Sequence, residues 1–147
     1  MTCGDVMTKD PACCVPTDSV ARVAKLMKIQ DVGSIPVCES RSSRRLVGII
    51  TDRDLVLDVV AESRDANSTH VQDVMSREPF TCYAEDSMQQ ALDAMQRHKV
   101  RRILVVDRSG QLIGIIALAD IANRGSEPDK TAEAVEEISK PSIARAS

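Results

Sequence analysis

The 147-residue sequence has no tryptophan, one tyrosine (Tyr83) and one phenylalanine (Phe80). Surfaces that stack the bases of single-stranded nucleic acid are built from aromatic rings, so this chain has almost no material for one. Positive charge is not in excess either. The 19 Lys and Arg against 22 Asp and Glu leave a net charge of −3, which argues against a surface that tracks phosphate backbones. No apolar run approaches membrane-spanning length and no charged-then-apolar leader opens the chain. The expectation is a soluble, cytoplasmic protein with no membrane or nucleic-acid partner. The five cysteines, Cys3, Cys13, Cys14, Cys38 and Cys82, contain no C-x-x-C pair, the pattern of reduced thiols rather than of a disulfide framework. His70 and His98, the only histidines, lie far from any cluster of metal-ligand spacing, so no metal site is expected. No Ser or Cys has a base placed to activate it, so neither a catalytic constellation nor a catalytic cofactor is expected.

What the chain does have is a duplication. A shift that carries Asp5-Val6-Met7 onto Asp73-Val74-Met75 also carries Pro11 onto Pro79, Cys14 onto Cys82 and Asp18-Ser19 onto Asp86-Ser87. Val20, Val23, Ala24 and Met27 fall on Met88, Ala91, Leu92 and Met95, so both copies show the i, i+3, i+4, i+7 stripe of an amphipathic helix. The register then slips by two residues, because the polar turn Glu39 to Arg45 is longer than its counterpart Asp107 to Gln111. Each copy reads as a lead-in, a brief extended piece, a helix (Ser19 to Gln30; Ser87 to His98) and two strands. The strands are Ile35 to Cys38 and Leu46 to Ile50 in the first copy, Ile103 to Val106 and Leu112 to Ile116 in the second. A closing helix follows, Asp52 to Glu62 or Leu118 to Arg124. The fold class is α+β: duplicated β-α-β-β-α units, each too short to bury enough apolar surface alone, packed about a pseudo-twofold axis. Residues 1–66 form the first motif and 67–125 the second, with polar Ser63 to Thr69 as linker. Residues 126–147 form a tail with one more short helix, Asp129 to Ser139.

The stretch Gly48-Ile49-Ile50-Thr51-Asp52-Arg53-Asp54 recurs as Gly114-Ile115-Ile116-Ala117-Leu118-Ala119-Asp120. It runs from a buried strand into a helix start, with Thr51 and Asp54 spaced as a capping box. Free backbone N–H groups and positive dipole character there would suit a ligand with phosphate and sugar hydroxyls. A carboxylate in a first helical turn also needs no ligand to be favourable, so capping and binding readings both stand for Thr51, Asp54 and Asp120. Arg101 and Arg102, opposite Gly33 and Ser34 of the first copy, read either as charges that discourage strand pairing or as guanidinium forks for phosphate. Arg41, Arg44 and Arg45 lie in the longer turn and read as solvated. Cys14 and Cys82 read as small buried hydrophobes.

These repeated signatures, from about Thr2 to Arg124, resemble the cystathionine-β-synthase (CBS) domain family, as a tandem pair. The resemblance implies a non-catalytic regulatory module that dimerises and binds an adenosine-containing ligand (AMP, ADP, ATP or S-adenosylmethionine) in the cleft between its two motifs. The matching positions imply that Asp54 and Asp120 accept from ribose hydroxyls and that Thr51 and Ser34 add hydroxyl contacts. They also imply that Val32 and Gly33 lie against adenine and that Arg101 and Arg102 contact phosphate. Ala117 departs from the family's usual Thr or Ser, so the two sites are expected to be unequal. The effector protein is unknown. Two other readings are a ligand-free dimeric interaction module and a thiol-based stress sensor using Cys13 and Cys14.

Overall fold

The computed structural model describes residues 1–124; the tail and its expected helix lie outside the described residues. The chain divides into two compact units. One comprises Pro11–Pro79 with Gly110–Leu112, the other Met1–Asp10 with Phe80–Ser109 and the described residues from Ile113.

In the Pro11–Pro79 unit, helix α2 (Val20–Gln30) is followed by strands β2 (Ser34–Cys38) and β3 (Leu46–Thr51). Its stripe points Val20, Val23 and Met27 into a core with Ile35, Val37, Ile50, Val59 and Val71. The helix begins where the sequence places it, because Ser19 Oγ accepts from Arg22 N at 3.2 Å. The polar linker is not a loose tether: Thr69 O and Ala66 O accept from Val20 N and Ala21 N, capping the first turn. The helix ends on Asp31 in the left-handed region (φ 53°), with Val32 N donating back to Met27 O.

Strand β3 pairs antiparallel with β2 on one side and on the other with the two-residue β4 (Ser76–Arg77), which belongs to the lead-in of the second repeat. The following helix departs from the sequence expectation of an unbroken run to Glu62. An α-helical turn, α3 (Asp52–Leu55), passes into a π-helical turn over Val56–Val60. Ala61 N reaches five residues back to Val56 O, and a run holding three β-branched valines is a poor α-helix former.

The other unit repeats the plan with the lead-ins exchanged. Its one-turn helix α1 (Cys3–Val6) and strand β1 (Thr8–Lys9) come from the first repeat. Strand β5 (Thr81–Tyr83), helix α4 (Met88–His98), strands β6 (Arg102–Val106) and β7 (Leu112–Ala117), and helix α5 (Leu118–Arg124) come from the second. The sheet order is β1-β7-β6-β5, with β5 parallel to β6. The core gathers Cys3, Val6, Cys82, Met88, Leu92, Met95, Ile103, Ile116 and Ile121.

The exchange explains both signature glycines. An added Cβ on Gly48 would lie 2.7 Å from Ser76 O and 3.0 Å from Met75 Sδ, and one on Gly114 would run into Met7 Sδ. Each Asp-Val-Met lead-in therefore needs a side-chain-free residue on the strand it packs against.

Candidate functional site

The end of β3 builds the first candidate site. Thr51 and Asp54 form the reciprocal capping box their spacing predicts: Thr51 N donates to Asp54 Oδ2 at 2.8 Å, and Asp54 N donates to Thr51 Oγ1 at 3.1 Å. Both residues are buried, Asp54 to 1% exposure. The expected free N–H groups are absent, which corrects the sequence reading. Asp52 N donates to Gly33 O at 2.9 Å and Arg53 N to Asp52 Oδ1 at 2.8 Å, so the whole first turn is internally satisfied. The space above Gly33 is likewise taken, since a Cβ there would sit 3.0 Å from Asp52 Oδ2. Val32 is half-buried against the core, its N–H spent on Met27 O.

Ser34 stands apart. It opens β2 directly across the ladder from Thr51, it is only 7% exposed, and its Oγ has no hydrogen-bond partner. A buried hydroxyl left without a partner costs about 1–3 kcal/mol, so the group calls for one. Val32, Gly33, Ser34, Thr51 and Asp54 are thus brought together at one end of the β2-β3 ladder.

The equivalent end of β7 gathers Arg101, Arg102, Ala117 and Asp120. Arg101 O accepts from Leu118 N at 2.8 Å, as Gly33 O does from Asp52 N. Ala117 N reaches Asp120 Oδ2 only at 3.3 Å, and with no hydroxyl at Ala117 the reciprocal bond is missing. Arg101 and Arg102 are exposed, and neither guanidinium is paired within the described residues. The two sites are chemically unequal.

Of the arginines read as solvated, Arg41 is exposed but makes a salt bridge with buried Asp18, whose other oxygen accepts from Val15 N at 3.0 Å, and Arg44 is half-buried. Arg44 donates to Pro11 O (3.1 Å), Leu112 O (3.4 Å) and Cys13 Sγ (3.5 Å). Nothing local distinguishes Arg44 from Arg45, which is exposed; the acceptors come from distant segments. Among the described residues, no three or more His, Cys, Asp or Glu side chains are grouped to hold a metal ion, and no helix is long and apolar enough to cross a membrane.

The duplicated α+β module carries one strand-to-helix corner in each repeat. The CBS domain model matches residues 3–60 and 71–127, and the chain belongs to the CBS domain family. It is 36% identical over 139 residues to the CBS domain-containing protein YhcV of Bacillus subtilis, covering 95% of this chain and 96% of that protein. Hypoxic response protein 1 of Mycobacterium tuberculosis is 31% identical over 121 residues, 82% of each chain. Among solved structures, that of Hypoxic Response Protein I with two coordinated zinc ions superposes with a TM-score of 0.75, covering 84% of this chain and 98% of that one at 31% identity. The structure of CBSX2 in complex with AMP gives 0.71, covering 84% and 94% at 26% identity.

Proposed function

We propose that this chain is a regulatory binding protein, not an enzyme, that takes an adenosine-containing ligand. AMP stands first among AMP, ADP, ATP and S-adenosylmethionine. The observation that carries the reading is the buried, unpartnered Ser34 Oγ beside Thr51 and Asp54: a ligand hydroxyl or ring nitrogen would complete it. The AMP complex of CBSX2 supports the ligand class. Ribose hydroxyls would compete for the Asp54 carboxylate, an acceptor-only group. Arg101 and Arg102 would supply phosphate contacts. Asp120 beside Ala117 would form the weaker of two sites.

Occupancy can act on an effector protein only if the ligand binds two states of the module unequally. Assembly as a cytoplasmic homodimer belongs to the same proposal. Ile29, Val56 and Val60 are exposed apolar residues on or beside the unit's helices, and a second copy would cover them.

The test is calorimetry and thermal unfolding with AMP, ADP, ATP and S-adenosylmethionine. A ligand at about a hundred times its dissociation constant adds roughly 2.7 kcal/mol of stability. If no adenosyl compound binds at millimolar concentration, the reading fails and the ligand-free interaction module, favoured by Ala117 and the closed cap at Thr51, takes its place.

A further inference from the structure

The five cysteines fall into chemically different environments. Cys3 and Cys82 touch, Sγ to Sγ at 3.6 Å, inside a core that buries both. Cys14 is buried with its thiol directed at Pro36 O (3.7 Å), and burial pushes that thiol up to about 12. Cys13 differs in exposure and in its cation: it is half-exposed, and the Arg44 guanidinium donates to its sulfur at 3.5 Å.

The backbone sets Cys38 on the same face as Cys13. Cys14 bridges Val37 in parallel fashion, with Cys14 N on Pro36 O (3.0 Å) and Cys38 N on Cys14 O (2.8 Å). Side chains alternate along extended chain, which sends Cys14 and Val37 to one face and leaves Cys13 and Cys38 on the other. Vicinal Cys13 and Cys14 lie about 3.8 Å apart at Cα across a trans peptide, short of the roughly 4.4–6.8 Å that disulfides want.

We propose that Cys13 is a hydroperoxide-oxidisable thiol, held by Arg44, whose resolving partner is Cys38. The Cys13 thiolate attacks one oxygen of the hydroperoxide and the O–O bond breaks. Sulfur loses two electrons and becomes the sulfenic acid, while the peroxide is reduced by two electrons and leaves as hydroxide or alkoxide, protonated by water. The Cys38 thiol then displaces the sulfenic hydroxyl. The S–S bond forms, and the Cys38 proton leaves with that hydroxyl as water. The product ties the Pro11–Cys14 segment to β2 covalently.

The charges around Cys13 support the first step. Donation from Cys38 holds its thiol down to about 6 against the opposing effect of burial, with Arg44 and Arg41 assisting and Asp18 opposing. Cys13 is then mostly thiolate at neutral pH, where an ordinary thiol is only a few per cent ionised. A thiolate of lower basicity is also a weaker nucleophile, which cancels much of that gain. The signature is therefore the pH midpoint, more than the rate at pH 7.

The experiment is iodoacetamide alkylation of the native full chain from pH 5 to 10, read by peptide mass spectrometry, beside treatment with hydrogen peroxide. Expected are a Cys13 midpoint near 6, protection of Cys3, Cys14 and Cys82, and a Cys13–Cys38 linked peptide after peroxide. R44Q should raise the midpoint. C38A should leave a Cys13 sulfenic acid that dimedone traps. A wild-type midpoint in the ordinary thiol range near 8.5, or peroxide-treated protein carrying Cys13 as sulfinic acid with Cys38 still a free thiol, overturns the proposal. The wild-type measurements need no variant to fold.

Discussion

Thr51 and Asp54 each satisfy the other's backbone N–H, at 2.8 and 3.1 Å, while Ala117 and Asp120 in the second repeat keep only one such bond, at 3.3 Å. The first corner is a closed cap and the second is half of one. T51A should destabilise the protein by about 1 kcal/mol, within the roughly 0.5–2 kcal/mol range for lost N-caps. A117T should stabilise it by a smaller amount. Urea midpoints at constant m-value measure both; equal and negligible effects would mean that the capping box contributes nothing.

The unpartnered Ser34 hydroxyl predicts opposite signs for stability and binding. S34A removes a buried hydroxyl with no partner, so the ligand-free protein should gain about 1 kcal/mol. AMP affinity should fall by roughly tenfold, the equivalent of one hydrogen bond. Thermal unfolding without ligand and calorimetry with AMP read the two effects separately. A variant that is less stable without ligand, or that binds AMP as tightly as the wild type, removes Ser34 from the site. This is a cleaner probe than D54A, which breaks the cap as well as any ligand contact.

The two signature glycines should respond unequally to a methyl group. At Gly48 the added carbon meets a backbone oxygen, Ser76 O at 2.7 Å, whereas at Gly114 it meets the Met7 side chain. A backbone atom paired in the β3-β4 ladder cannot swing away; the Met7 thioether can, although Met7 Cβ, 3.0 Å from the added carbon, cannot. G48A should cost about 1–3 kcal/mol, and G114A somewhat less. Chemical denaturation of the two variants side by side checks the order.

Exposed Arg102 should be dispensable for folding and matter for phosphate. R102A should leave stability within about 0.5 kcal/mol. A lost charge-assisted hydrogen bond is worth roughly 1.5–3 kcal/mol, so AMP should bind about tenfold or more weakly while adenosine is unaffected. An equal loss for both ligands would place the effect away from the phosphate. R101A should spare the Arg101 O to Leu118 N bond, which is main chain to main chain.

Much of the fold was legible because it is local. Ser19 and Ser87 start their helices, the apolar stripes face their cores except at exposed Ala24, and each strand lies within a residue of its expected bounds. The capping box at Thr51 was legible for the same reason, since its partners are three residues apart. The π-helical turn over Val56–Val60 was not, because hydrophobic spacing reports which face is buried and not how the backbone bonds are routed. Nor were the roles of Arg41 and Arg44, whose acceptors Asp18, Pro11 and Leu112 are remote in sequence. The free N–H groups expected at Asp52 and Arg53 were a misreading of another kind. The acceptor of one is Gly33 O on the neighbouring segment, and that of the other is the Asp52 side chain itself.

The amino-acid sequence by itself determined the duplication, the order of helices and strands in each copy, and which residues compete for the two corners. Those properties depend on neighbours a few positions away. Only the tertiary structure decided that Met7 packs on Gly114 and Met75 on Gly48, so that each lead-in completes the sheet of the other repeat. The reason is physical: the two copies are so alike that a lead-in fits its own strand and its neighbour's equally well by local pattern. Only the tertiary packing separates the alternatives, with Met7 half-buried against Gly114 and Met75 against Gly48.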